Sequence, residues 1–472
     1  MKNVVNLYAT LSSEIEQQIK TNVLKIGDRL PSLRSICSER GVSMNTAIRA
    51  FHELEKLGLI EAKPQSGYVV SYSHSHFKNI VASSQPKMVK GANSMDEIMN
   101  LVVENYPMAK TRLSSAILDA RLVPINKLNA AVGAATKSLS DSGVNYSVYG
   151  SEKLKTQIAK RATVWGGKFQ PSDIITTSGS TDALAFTLLA LTRRGDTIAV
   201  ESPVYYGILR LAYSLGLQVI ELPTDPKVGV QMDALERLMK SKKIKLCLLV
   251  SNFSNPMGAC MPEEHKKRVA QMAAKYQIPV LEDDVYGELF FGNKRPRNIK
   301  SFDEEGMVLW CGSFSKTLVS GYRVGWLEAG RFKKELEKVK LNHTLYCTTI
   351  THEAVGIFLE IGRYEHHLKK LRASLYNNYL NFQRCISLYF PEETKVTHPT
   401  GGMNLWVEFP KKVNTIELYN QAILHRISIS PGRTYTLQHQ YNHCLKLSFG
   451  MKWGDDIDSA LKRVGKLAKE MM

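Results

Sequence analysis

The chain has 472 residues, more than one hydrophobic core usually organises, and this length predicts two or more domains. Apolar residues make up 44% and charged residues 22%, and no run of about 18 apolar residues occurs, which excludes a largely disordered chain and a membrane-spanning helix. A formal net charge of +18 admits a nucleic-acid partner, yet residues 1–72 carry only +2 of it. The seven cysteines form no CxxC pair and are odd in number, which argues against a zinc site or a disulfide framework. The opening "MKNVVNLYATLSSEIEQQIK" is charged and lacks a signal peptide's apolar core, so a reducing cytoplasm is the expected location.

Leu7, Leu11, Ile15 and Ile19 recur every fourth residue and predict a first helix with one apolar face. In "LPSLRSICSERGV", Pro31 and Ser32 start a second helix, Leu33 and Ile36 give it an apolar face, and Gly41 stops it. Ser43 then caps a third, "MNTAIRAFHELEKL", with Ala47, Ile48, Phe51, Leu54 and Leu57 packing inward and Asn45, Thr46 and Arg49 facing out. After Gly58, "LIEAKPQSGYVV" reads as two short strands around a Pro/Gly turn, the wing of a winged helix-turn-helix. Such a third helix enters the DNA major groove, with Ser43, Asn45, Thr46 and Arg49 nearest bases or phosphates and with Arg34, Lys63 and Gln65 clamping the backbone. A double-stranded DNA operator is the expected partner. The stretch from Gly27 to Val70 resembles the GntR family of bacterial regulators, a likeness that extends over residues 1–72. Met44 departs from it, standing where that family commonly has arginine.

Residues 73–93 mix Ser, His, Lys, Gln, Pro and Gly without period and read as a flexible linker. His74 and His76 lack a third ligand at metal spacing, so no metal is expected. From residue 94 to 472, apolar runs such as "DTIAVES", "KLCLLV" and "IPVLED" alternate with helical stretches, which predicts an α/β domain with a mainly parallel sheet.

Within that domain "GSFSKTLVSGYRVGW" surrounds Lys316 with hydroxyls. A lysine that forms a Schiff base needs a partly desolvated amine and a partner held in a fixed pose, and a phosphate handle supplies the pose. Ser313, Ser315 and Arg323 are candidate phosphate contacts, and "TTSGSTDAL" adds Ser178, Gly179 and Ser180 at a strand-to-helix turn, where backbone N–H groups and the helix dipole meet an anion. "IPVLEDDVYGEL" ends a buried strand in Asp283, which suits a protonated pyridine nitrogen, with the phenol of Tyr286 three residues on. Asn255, held by Pro256, is a second donor to the same phenolate oxygen, and Tyr205 in "ESPVYYG" is placed to stack on a ring. Jointly these residues describe pyridoxal 5'-phosphate. His343, His352, His366 and His367 lie in a basic helical stretch and receive no catalytic part.

With these motifs, residues 94–472 resemble the fold type I aminotransferases, and the two-part chain resembles the MocR subfamily of GntR regulators. The resemblance implies Lys316 as the Schiff-base lysine, Asp283 as the pyridine partner, Asn255 and Tyr286 as phenolate donors and Tyr205 as the stacking ring. It implies a homodimer in which Tyr146 of "NYSVYG" reaches the neighbour's phosphate. Two departures stand out: Lys446 in "HCLKLSFG" replaces the arginine that grips the substrate carboxylate, and Ser320 replaces a common proline. An ammonium lacks the guanidinium's planar fork, so either carboxylate recognition is weaker by about 1 to 3 kcal/mol, or another residue serves it, or the natural ligand is not an ordinary α-amino acid. The expected function is therefore transcription regulation by sensing pyridoxal phosphate or its adduct with an amine or amino acid. The alternatives are an active aminotransferase with an accessory DNA-binding domain, and a regulator whose large domain is only a dimerising scaffold.

Overall fold

The computed structural model describes residues 7–21, 23–63, 67–71, 80, 87–89, 108–147 and 150–472. At the N-terminus, helices α1 (Leu7–Lys20), α2 (Leu33–Arg40) and α3 (Met44–Lys56) precede an antiparallel hairpin of β1 (Ile60–Lys63) and β2 (Gly67–Val70), with Ile60 opposite Val70. The every-fourth pattern of α1 buries Leu11, Ile15 and Ile19, while Leu7, the first helical residue, is exposed. Ser32 caps α2 by accepting from the Ser35 N–H at 3.1 Å, and Gly41 ends the helix at φ 62°, a left-handed conformation that costs a side-chain-bearing residue energy.

The inward face of α3 differs from the expected one. Ala47, Ala50, Phe51 and Leu54 are buried, whereas Ile48 and Leu57 are 46% and 42% exposed. The buried set follows the i, i+3, i+4, i+7 stripe of a helix, from which Ile48 is displaced by one residue, about 100° around the axis. Leu57 sits on the C-cap, beyond the last helical turn. Gln65 of the wing, and His74 and His76, lie outside the described residues.

The large domain is built on a nine-stranded sheet. Its strands are β3 (Lys87–Val89), β4 (Ile174–Thr177), β5 (Thr197–Ser202), β6 (Gln218–Asp225), β7 (Leu246–Leu249), β8 (Val280–Asp283), β9 (Val308–Ser313) and β10 (Gly325–Glu328), in the spatial order β3-β6-β5-β7-β8-β9-β10-β4, with Gly229–Val230 folded back on β6. The β6-β5-β7-β8-β9 run is parallel; β3 and β10 are antiparallel to their neighbours. Strand β3 lies inside the segment expected as a linker. The parallel strands are almost wholly buried, as near-continuous apolar runs covered by helices on both faces require. Because they share a direction, Ser202, Asp283 and Ser313 end at one edge, where α/β sheets place their ligands.

A second, four-stranded antiparallel sheet includes β11 (Asn404–Glu408) and β12 (Cys444–Ser448), which carries Lys446 between Trp406 and Ser430. The 27-residue helix Arg363–Tyr389 joins the two parts of the large domain and also meets the N-terminal one. Its Tyr376 hydroxyl donates to the Leu57 carbonyl at 3.1 Å, and Leu380 lies so close over Gly58 that a Cβ there would collide with it. Among the described residues no helix is long and apolar enough to cross a membrane.

Candidate cofactor site

One cavity of about 440 Å³ opens at the carboxyl edge of the sheet, and Ser180, Tyr205, Asn255, Asp283, Tyr286, Ser313, Ser315, Lys316, Arg323 and Lys446 all line it. Residues far apart in the chain are thus brought to one place. Lys316 follows the tight turn after β9, and its Nζ donates to the Ala116 carbonyl at 2.7 Å. Loss of hydration pulls its ammonium down to about 8, opposed by the attraction of Asp283 and reinforced by the repulsion of Arg323. Asp283 ends β8 and is 6% exposed. Burial raises its carboxyl to about 7; Asp284 beside it adds to the shift and Lys316 opposes it. Asp284 points away into a buried network, paired with Arg295 and accepting from Asn252, Asn298 and Trp310, so among the described residues Asp283 is the carboxylate that lines the cavity.

The Asn255 amide donates to the Tyr286 hydroxyl across a long 3.5 Å, and its own Oδ1 is buried with no hydrogen-bond partner among the described residues. This pair keeps hydrogen-bonding capacity for a further polar group in the cavity. Burial holds the Tyr286 and Tyr205 phenols well above their usual range, so both stay protonated. The Tyr205 ring lies 4.7 Å from that of Tyr206.

At the anion end, Gly179 sits at φ 93° as the N-cap of the helix Ser180–Leu191. A Cβ there would come within 2.5 Å of Arg323 Nη2, so the glycine lets the guanidinium reach the helix terminus. Arg323 donates to the Ser178 carbonyl at 3.0 Å and to Ser315 Oγ at 3.4 Å, while Ser313 Oγ accepts from the Ser315 N–H at 3.3 Å. Helix N-terminus, hydroxyls and guanidinium form a donor set that fits a phosphate. Ser178 and Gly179 support this end from behind without lining the cavity. Tyr146 is not brought there: it is 73% exposed, its ring 5.1 Å from Tyr346.

Several participants left no mark in the sequence. Ser114 and Ala116 act through backbone carbonyls, which any residue supplies. Tyr206 and Tyr435 line the cavity, and only the doubled tyrosine in "VYYG" hinted at the first. Thr317, next to Lys316, is clamped by the Tyr364 hydroxyl on its Oγ1 and by His367 Nε2 on its carbonyl, both at 2.7 Å, so a histidine given no part positions the lysine's turn. Glu408, His443 and Cys444 bring metal-binding atoms within 4.8 Å of one another, but Glu408 is engaged by Lys395 at 2.7 Å.

On the N-terminal domain, Arg34, Ser43, Asn45, Arg49 and Lys63 are exposed and Thr46 is half-buried. Ser43 Oγ accepts from the Thr46 N–H at 3.2 Å and lies 2.8 Å from Thr46 Oγ1. The Arg49 guanidinium lies over the Tyr8 ring at 4.1 Å.

A mainly parallel sheet with a lysine, a strand-end aspartate and a phosphate-shaped donor set defines a fold type I aminotransferase domain, joined here to a winged helix-turn-helix. Residues 97–464 match the family model "Aminotransferase class I and II", and residues 7–70 match "Bacterial regulatory proteins, gntR family". The HTH-type transcriptional regulator YdcR of Escherichia coli (strain K12) is 32% identical over 98% of this chain and 99% of its own, and YjiR of the same organism 31% identical over 98% and 99%. The kynurenine aminotransferase of Pyrococcus horikoshii superposes with a TM-score of 0.73 at 26% identity, over 80% of this chain and 95% of its own. The chain therefore belongs to the aminotransferase class I and II family, in the branch of HTH-type regulators that carry a GntR domain at the N-terminus. Aminotransferases of this fold depend on pyridoxal 5'-phosphate.

Proposed function

We propose that this protein is a transcription regulator that binds an operator through residues 1–72 and senses pyridoxal 5'-phosphate, or its adduct with an amine or amino acid, through residues 94–472. The observation that carries the reading is the pairing of Lys316 and Asp283 in one cavity, in a chain that also presents a DNA-reading helix. Lys316 holds the cofactor's aldehyde carbon, its lowered basicity keeping part of the amine unprotonated near neutral pH. Asp283 pairs with the pyridine nitrogen, and a cation there favours its charged form. Asn255 and Tyr286 donate to the phenolate oxygen, Tyr205 covers the ring, and Ser178, Gly179, Ser180, Ser313, Ser315 and Arg323 receive the phosphate. When bound, the cofactor supplies an electrophilic carbon and an electron sink.

The exposed Tyr146 completes the phosphate site of a second copy, so the working unit is a cytoplasmic homodimer that reads two half-sites on DNA. Ligand binding alters the operator affinity of that dimer because the two states differ in the geometry offered to the readers.

The test is operator binding by the full chain with and without pyridoxal phosphate, alongside an amino-acid titration followed by visible absorbance. An operator affinity that depends on the cofactor supports sensing; equal affinities refute it. Steady release of keto acid points instead to an aminotransferase with an accessory reader.

A further inference from the structure

Three side chains with metal-binding atoms meet at one end of the second sheet. Glu408 is the last residue of β11 and Cys444 the first of β12, directly opposite one another in an antiparallel pair, where side chains share a face. His443 precedes Cys444. Its carbonyl accepts from the Phe409 N–H at 2.9 Å, and the Cys444 N–H donates to the Tyr441 carbonyl at 3.0 Å, so the backbone under both residues is fixed. A carboxylate oxygen, an imidazole nitrogen and the thiol sulfur lie within 4.8 Å of one another. Ligands about 2.0 to 2.3 Å from a tetrahedral metal stand roughly 3.3 to 3.8 Å apart, a spacing that small side-chain adjustments reach. Cys444 is buried among Ile80, Met257, Trp406 and Tyr435, while Glu408 and His443 are half-buried. The carboxylate's present partner is Lys395, across β11 on the strand Lys395–Val396; its ammonium lies 2.7 Å from Glu408 and it is 31% exposed, so it can turn out to solvent. Lys411 is the other cation felt at His443.

We propose that Glu408, His443 and Cys444 form a site for a single zinc ion, which takes the place of the Lys395 ammonium beside Glu408 and leaves its fourth position to solvent. The donor set selects the metal. Magnesium and calcium take oxygen ligands, and one carboxylate with a thiol is a poor cage for them, whereas zinc accepts oxygen, nitrogen and sulfur together. Burial keeps His443 in the neutral form that a metal takes; it also raises the Cys444 thiol, from which a dication beside it removes the proton. Zinc with one thiolate and one carboxylate carries no net charge, which suits a half-buried place. No spacing motif announces such a site, because its ligands come from two strands and include one cysteine. The ion would tie together the ends of β11 and β12, two residues before Lys446 in the wall of the cavity. The inference stands apart from the sensing reading.

The experiment uses the full-length protein, stripped with a chelator, dialysed and kept reduced with a phosphine. It is titrated with zinc chloride by calorimetry and with cobalt(II) chloride by absorbance, where a near-ultraviolet charge-transfer band reports a coordinating thiolate. We expect zinc to bind and to raise the midpoint of thermal unfolding, and cobalt to develop the band. Cys444→Ser should abolish the band and the thermal shift. Cys444→Ser and His443→Ala should each weaken zinc binding by more than about tenfold, since losing even an outer partner of a ligand has an effect of that order. Lys395→Met removes the competing cation and should tighten zinc binding by up to about fivefold, the strength of a half-exposed ion pair; damage to the fold would not produce that gain. No cobalt band in the wild type, a band that persists in Cys444→Ser, or zinc binding unchanged or weakened by Lys395→Met would each overturn the proposal.

Discussion

Asp283 makes the empty protein weaker than it need be. Its carboxyl is raised from 3.8 to about 7 by burial, so the cost of charging it inside the protein is absent below about pH 4 and complete above about pH 7. Asp283→Asn removes that cost. The apo variant is expected to resist urea better than wild type at pH 8, by up to about 4 kcal/mol, with the gain vanishing near pH 4. The same variant is expected to bind pyridoxal phosphate more weakly, because the group whose charge was expensive is the one proposed to pair with the pyridine nitrogen. An apo Asp283→Asn protein no more stable than wild type at pH 8 would contradict this assignment. Lys316→Ala is expected to abolish the visible band that pyridoxal phosphate develops with the wild type while leaving a folded protein by circular dichroism; a band that survives dialysis in this variant would rule out Lys316 as the covalent site. These residues were legible in the sequence because each sits where chain geometry fixes its place: a strand end, a glycine turn, a cap. Ala116 and Ser114 were not, since a carbonyl oxygen has no residue signature, and His367 was passed over because a helical histidine usually marks surface or packing.

At the scale of elements, the helix-turn-helix was legible through its punctuation. Ser32, Gly41 and Ser43 mark a stop and two starts by hydrogen bonds and a backbone angle that few other residues supply. The inward face of α3 was less so: a run rich in apolar residues offers more than one stripe, and Ile48 lost its place to the smaller Ala50 that packs within it. The parallel strands were legible as apolar runs, but β3 was not, because three residues at a sheet edge gain their pairing from β6 rather than from their own pattern. Since the Ser43 hydroxyl is committed to the Thr46 N–H, Ser43→Ala should cost α3 about 1 kcal/mol, seen as roughly fivefold faster hydrogen exchange in its first turn. Ser43→Asp should restore protection, and unchanged exchange in Ser43→Ala would show that the cap contributes nothing.

At the scale of the whole molecule, the N-terminal domain rests on the helix Arg363–Tyr389 at Leu57 and Gly58. Gly58 stands at φ 66° with Leu380 against it, so Gly58→Ala is both strained and obstructed. The variant is expected to raise hydrogen exchange around Leu57–Leu59 while leaving the visible band of the cofactor unchanged; equal exchange in the two proteins would mean that the seat is not held there. The Tyr376 hydrogen bond and the Leu380 contact together amount to roughly 2 to 4 kcal/mol before the cost of ordering is subtracted. A contact of that size is a poised equilibrium rather than a weld, for a change of 1.4 kcal/mol shifts its population about tenfold. The same helix, three to four turns earlier, clamps Thr317 beside Lys316. The arrangement resembles a balance beam, with the turn of Lys316 seated near one end and the N-terminal domain resting further along it.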